Sequence, residues 1–295
     1  MRVLLLWLVL VVVPTVSFAD VPQHTEVCVA ASEQDIATLF DRWNESLKTG
    51  DPHKVVAHYA PKSVLLATLS SKPRFTVEEK VDYFRDFQLN QPEGRIESRT
   101  IELDCNTAID EGLYSFTLQK TGVTVKARYT FTYKWDGTQW LITSHHSSRL
   151  PAEQAPPEEP VHAVARHSEV CVAASEKEIE ALLDRWKESL QSGNAHKVMT
   201  HYAAKSVLLP LSSTKPRLTL DDKEDYFRHF LRDRPSVQVQ SRTIEIDCNT
   251  AIDEGLYTFT FQKAGTIVNA RYSIIYKWDG LQWLITSDHS SIYPQ

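Results

Sequence analysis

Residues 24–151 align with residues 167–294 at a constant offset of 143 positions, without a gap, and 81 of those 128 positions are identical. The run Asp104-Cys105-Asn106-Thr107-Ala108-Ile109-Asp110-Glu111-Gly112-Leu113-Tyr114 returns unchanged as Asp247 to Tyr257. Solenoid repeats have periods of roughly 20 to 50 residues, so a period this long makes each copy a domain with its own core. The reading is a first domain over 20–151, a linker over 152–166 and a second domain over 167–295. Between the copies lies Pro151-Ala152-Glu153-Gln154-Ala155-Pro156-Pro157-Glu158-Glu159-Pro160, a composition that cannot build a core.

The first 19 residues read differently from the rest. Arg2 precedes the apolar run Val3 to Val13, then Pro14, then Ser17-Phe18-Ala19 with small residues at both ends of the triplet. That order is the pattern of a secretory signal cleaved after Ala19; the apolar run is short for a membrane span, and Pro14 breaks it. The expectation is an exported protein, periplasmic or secreted, with no membrane anchor once the signal is removed. Cleavage removes Arg2 and no acid, which moves the formal charge from −6 to −7 (31 basic against 38 acidic residues). Mild acidity spread along the chain argues against a nucleic-acid partner.

Cys28 and Cys105 in the first copy stand at the same places as Cys171 and Cys248 in the second. In an oxidising compartment this favours Cys28–Cys105 and Cys171–Cys248 disulfides. Thiolate metal ligation is the alternative, but no Cys-x-x-Cys or Cys-His cluster supports it.

Within one copy, Ser32 precedes the stripe Ile36, Leu39, Phe40, Trp43 and Leu47, and Ser32 with Asp35 resembles a capping box. Asp51-Pro52 opens a second helix read through Tyr59, Ser63–Thr68 suits a short strand, and Thr76-x-x-Glu79 starts a third helix carrying Phe84 and Phe87. Four extended runs follow: 95–103, 112–119, 123–135 and 139–148. In 123–135, Tyr129, Phe131, Tyr133 and Trp135 alternate with Arg128, Thr130, Thr132 and Lys134, so the aromatics share one face. The expected class is α+β: two tandem cone-shaped domains, each of three helices packed on a curved antiparallel sheet.

That order of elements, ending in Trp140-Leu141-Ile142-Thr143-Ser144-His145-His146-Ser147-Ser148, resembles the nuclear-transport-factor-2-like (SnoaL-like) superfamily. More narrowly it looks like the branch of the calcium/calmodulin-dependent kinase II association domain. Ala127-Arg128-Tyr129-Thr130-Phe131-Thr132-Tyr133 followed by His-His-Ser-Ser looks like the iota-class carbonic anhydrases, which often occur as tandem repeats behind a targeting signal. The resemblance covers nearly all of both copies. It implies reversible hydration of carbon dioxide to bicarbonate, in a pocket lined by a Thr, a Tyr, and the His and Ser of the motif.

Carried onto this chain, those are Thr68, Tyr83, His146 and Ser148, with Tyr226, His289 and Ser291 in the second copy. His146 and Ser148 are expected to point into the pocket, because His289 and Ser291 repeat them whereas Asp288 replaces His145. Leu211 stands where Thr68 would be, so the second site is expected to be altered. Arg128 and Arg271 sit on the polar face of a central strand and need a carboxylate such as Asp110 or Glu111, or bicarbonate as substrate. His53, His58, His196 and His201 repeat without metal-ligand spacing and read as structural. No cofactor is expected, with zinc or manganese as the alternative, because the family has been regarded both as metal-free and as metal-using. The competing reading is a non-catalytic ligand-binding or oligomerisation module of the same fold. An isomerase or hydrolase ranks third for want of a carboxylate base in the first pocket. The two copies can also pair as an internal pseudo-dimer, sheet against sheet, or the chain can form a homo-oligomer.

Overall fold

The computed structural model describes residues 23–150 and 168–293; the expected signal over 1–19 and the whole of the expected linker, 152–166, lie outside them. The first domain contains β1 (Gln23–Val27), α1 (Glu33–Lys48), α2 (Pro52–Val56), β2 (Tyr59–Leu66), α3 (Val77–Gln88), β3 (Pro92–Leu103), β4 (Thr107–Leu118), β5 (Val123–Trp135) and β6 (Trp140–Arg149). The second repeats the order as β7 (Ser168–Val172), α4 (Glu176–Gln191), α5 (Ala195–Met199), β8 (Tyr202–Leu209), α6 (Leu220–Phe230), β9 (Pro235–Asp247), β10 (Thr250–Phe261), β11 (Thr266–Trp278) and β12 (Trp283–Ile292). Each domain is a five-stranded sheet, β2-β6-β5-β4-β3 or β8-β12-β11-β10-β9, with helices on one face. Among the described residues no helix is long and apolar enough to cross a membrane.

Local sequence sets these elements. Ser32 and Asp35 form the reciprocal capping box of α1, and Ile36, Leu39, Phe40, Trp43 and Leu47 are all buried. The second helix is shorter than its sequence suggests: it stops at Val56, and Tyr59 already opens β2. β2 runs parallel to β6, so the sheet is mixed at that edge and antiparallel elsewhere. The Cys28–Cys105 and Cys171–Cys248 disulfides tie the segment before each first long helix to the turn between the following long strands. Both fit an oxidising, exported location.

The sheets curve because extra residues interrupt their ladders. β3 shifts register against β4 between Ile96 and Ser98, and β5 against β6 between Thr132 and Tyr133, where Thr143 has no partner of its own. Such bulges bend and twist a strand. The concave face wraps the helices around a core that includes Trp43, Phe84, Phe131 and Tyr129.

The opposite, polar faces of the two sheets meet, as an internal pseudo-dimer requires. His146 stacks on His289 at 3.7 Å between ring centroids. Around them, His146 Nε2 bonds Ser291 Oγ at 2.8 Å, and His289 Nε2 bonds Ser148 Oγ at 2.9 Å. Ser144 donates to Glu254 and Ser287 donates to Glu111, both at 2.6 Å. Lys277 pairs with Glu102 at 2.9 Å and Lys134 with Asp247 at 3.2 Å across the rim. β1 and β7 add an antiparallel ribbon between the domains.

Candidate functional site

The first cone encloses a pocket whose polar lining comes from Thr68, Tyr83, Tyr114, His145 and Ser147, set among Trp43, Phe84, Phe87 and Phe116. The space open to the centres of water molecules is about 20 Å³. One water needs roughly 10–15 Å³ on that measure, so the pocket suits a very small guest.

The motif histidine and serine in this pocket are His145 and Ser147, which corrects the expectation for His146 and Ser148. Cross-strand partners share a face. Phe131 pairs with His145 and Tyr129 with Ser147 on the core side, whereas Thr130 pairs with His146 and Arg128 with Ser148 on the interface side. The cause is the bulge at Thr143: strict alternation from buried Ile142 would carry His146 and Ser148 inward, and one unpaired residue reverses that phase. The same shift between Ile275 and Tyr276 sends His289 and Ser291 to the interface.

Arg128 and Arg271 also depart from expectation, since neither meets a carboxylate or faces a pocket. Arg128 donates to the carbonyls of Pro210, Ser213 and Ser290 in the other domain. Arg271 donates to those of Ala67, Ser70 and Ser147. Burial without a counter-charge lowers both guanidiniums to about 10.

Thr68 and Tyr83 do line the pocket. Burial pushes the Tyr83 phenol up to about 12, and the Arg74 guanidinium lies over its ring at 4.4 Å. Tyr114 donates to Ser147 Oγ, and Ser147 shares a hydrogen bond with Thr68 Oγ1. Three hydroxyl protons serve two internal bonds, so one is left over for a guest. His145 lies flat against Phe131 at 4.0 Å, its Nδ1 bonds Tyr59 OH at 2.8 Å, and its buried Nε2 has no partner. Burial lowers its pKa to about 3, so the imidazole is neutral in ordinary buffers.

The second pocket is different. Leu211 replaces Thr68 and the open space falls to about 10 Å³, with Tyr226 still in the lining. Asp288, in the place of His145, accepts from Tyr202 OH at 2.5 Å and from Ser290 Oγ at 3.1 Å. Tyr257 in turn bonds Ser290 at 2.5 Å. With Ser290 donating to Asp288, Tyr257 supplies the proton of that last bond, and all three hydroxyl protons are spent internally. Burial raises Asp288 to about 6.

The first pocket offers one imidazole and hydroxyls, with no carboxylate or thiolate, a donor set that does not fit zinc or manganese. Among the described residues, Glu26, Cys171 and Cys248 bring three candidate ligand atoms together. Both sulfurs there are already joined to each other. Tyr59, Tyr114, His145 and Ser147 were the site residues missed in the sequence. The aromatic face of 123–135 marks the core side, but a ladder counted from the Asp136-Gly137 hairpin without the bulge at Thr143 puts His146 and Ser148 there instead of His145 and Ser147.

Two fused cones, each with helices closing the concave face of a bulged sheet, define a tandem protein of the nuclear-transport-factor-2-like α+β fold. The chain belongs to the calcium/calmodulin-dependent protein kinase II association domain family, whose model matches residues 32–151 and 175–294. A Xanthomonas campestris structure assigned to that association domain is 40% identical, covering 42% of this chain and 91% of its own, with a TM-score of 0.40. An NTF2-like protein of unknown function from Pseudomonas putida is 16% identical over 39% of this chain and 84% of its own, with a TM-score of 0.37. No curated protein matches the chain.

Proposed function

We propose that the first cone reversibly hydrates carbon dioxide to bicarbonate. The observation that carries this reading is the contrast between the pockets: in the first, the Thr68–Ser147–Tyr114 chain has a hydroxyl proton to spare beside a neutral imidazole nitrogen without a partner, whereas in the second Ser290 donates to Asp288, which stands in the imidazole's place. A narrow pocket with apolar walls suits a slim linear molecule without charge. In this reading the one spare hydroxyl proton of the Thr68–Ser147 pair is donated to a guest oxygen, while Nε2 of His145 orients the attacking water. The water oxygen bonds to carbon, one carbon–oxygen π pair moves onto oxygen, and the displaced proton leaves to solvent past half-buried Thr68. Donors fixed in a dry site stabilise charge growing on oxygen, typically by a factor of about 100 to 1,000 per donor. No step is routed through a metal.

The test is stopped-flow carbon dioxide hydration by the chelated, full-length protein. Expected are measurable catalysis in the wild type, a loss of about 100-fold or more in Ser147→Ala and His145→Ala, and no change in Asp288→Asn. Absence of catalysis, with or without added zinc or manganese, would sink the enzyme reading. It would favour the assembly module, which the sheet-to-sheet pairing of the two cones also supports.

A further inference from the structure

The second domain has an altered pocket, yet one of its buried side chains reaches into the first. Arg271 leaves β11, crosses the interface and binds two separate pieces of the first pocket. Its Nη1 donates to Ala67 O at 2.7 Å and Ser70 O at 3.0 Å, the two ends of the turn that carries Thr68. Its Nη2 donates to Ser147 O at 3.0 Å, on the strand that carries the pocket serine. Its Nε is held by Ser291 Oγ at 3.3 Å, and Arg271 is 1% exposed. A planar guanidinium holds several acceptors in a fixed fork, which a lysine ammonium cannot reproduce. One side chain therefore fixes the distance between the turn bearing Thr68 and the strand bearing Ser147, the two hydroxyls that touch inside the pocket. It also puts a buried positive charge behind the pocket, with no carboxylate beside it.

We propose that Arg271 is a positioning residue for the first-domain site, so that the second domain serves as part of the first domain's active structure. The catalytic half of this inference rests on the carbon dioxide reading above; the clamp itself does not. It accounts for a second copy that keeps its scaffold and interface while its own pocket is narrowed and altered by Leu211 and Asp288.

Pseudo-symmetry supplies a matched control. Arg128 makes the equivalent bonds to Pro210 O, Ser213 O and Ser290 O around the second pocket. A role in holding the domains together predicts equal consequences for both arginines, whereas a positioning role predicts unequal ones. In the full-length protein, Arg271→Lys should lower kcat for hydration about tenfold or more, with KM less affected. Arg128→Lys should stay within about twofold of wild type while losing similar thermal stability.

Hydrogen–deuterium exchange gives a readout independent of any reaction. Arg271→Lys should speed exchange at 67–71, and Arg128→Lys at 210–214. Equal loss of activity in both variants, or no faster exchange at 67–71 in Arg271→Lys, would overturn the proposal. If the wild type proves inactive while the exchange pattern appears as stated, the clamp stands and the carbon dioxide reading falls. Should Arg271→Lys not fold, Arg271→Gln beside Arg128→Gln carries the same comparison. Loss of folding in an Arg271 variant that its Arg128 counterpart survives would overturn the symmetric clamp.

Discussion

Raising the pH from 6.5 to 8 should cost the folded protein about 2 kcal/mol net, because two buried glutamic acids keep in the fold protons that the unfolded chain has released. Glu111 and Glu254 face the other domain at the centre of the sheet-to-sheet contact, 4% exposed each. Glu111 accepts from Ser287 Oγ at 2.6 Å, and Glu254 accepts from Ser144 Oγ at 2.6 Å and Ser273 Oγ at 3.2 Å. Among the described residues neither has an ion pair. Burial raises both to about 8, against an ordinary 4.5. A carboxyl with a raised folded pKa keeps its proton when the unfolded chain has lost it, so its stabilising effect is present at low pH and is lost as pH rises toward the folded value. Each contributes a slope of about 1.4 kcal/mol per pH unit that halves by pH 8, so the two together cost about 3 kcal/mol over this interval. His145, His146 and His289 are shifted down by burial; their stabilising effect is still being gained at the low end of this window and offsets about 1 kcal/mol of the loss. Lys80 and Lys223, lowered to about 8 by burial, begin to lose their protons in the fold at the upper edge of the window and offset somewhat less, below about 1 kcal/mol together. Urea unfolding at pH 6.5 and 8.0 checks the slope, and Glu111→Gln with Glu254→Gln should flatten it. Stability that is level or rising across this interval in the wild type would contradict protonated glutamic acids at the interface.

The duplication, the α+β class, the capped first helix and both cysteine pairs were legible in the sequence, because each depends on local pattern or simple equivalence. The phase of the last strand was not. One residue without a partner, Thr143, decides whether His145 or His146 looks inward, and nothing in the run Ile142 to Ser148 marks it as a bulge. Comparison of the copies also misled, for a physical reason. A pseudo-twofold interface needs the same residues from both halves, so His146 and His289 are kept by their shared stack. The pocket needs no such symmetry, and there His145 has become Asp288. At these two neighbouring positions, retention in both copies marked the contact between the domains, and divergence marked the site. The arginines were misread similarly: their partners are carbonyls more than 80 positions or more than 120 positions away in the chain, which no spacing within one copy can reveal.

Gly112→Ala should destabilise the first domain by about 3 kcal/mol or more, the cost of forcing atoms into a packed interior. Gly112 lies on β4 beside the bulge of β3, with φ of +156°. A Cβ there would sit 2.2 Å from Ser98 O and 2.9 Å from the carbon of the same carbonyl. Both are backbone atoms, so no side-chain rotation relieves the clash and the strands must part. Gly255 repeats the approach in the second domain, at 2.1 Å from Ser241 O, which argues that the close contact is part of how the sheet bends. Tyr114 follows two residues later on the same strand, so displacing β4 moves the phenol that bonds Ser147. The variant should therefore lose pocket geometry along with stability. Gly122→Ala is the control: its φ is +70° and nothing lies within 4 Å of the new Cβ, so it should cost only the roughly 1–2 kcal/mol of a left-handed backbone. Chemical denaturation of both variants at pH 6.5 decides the matter. A Gly112→Ala protein as stable as Gly122→Ala would mean that the bulged strand has slack, and that the curvature of the cone does not depend on this contact.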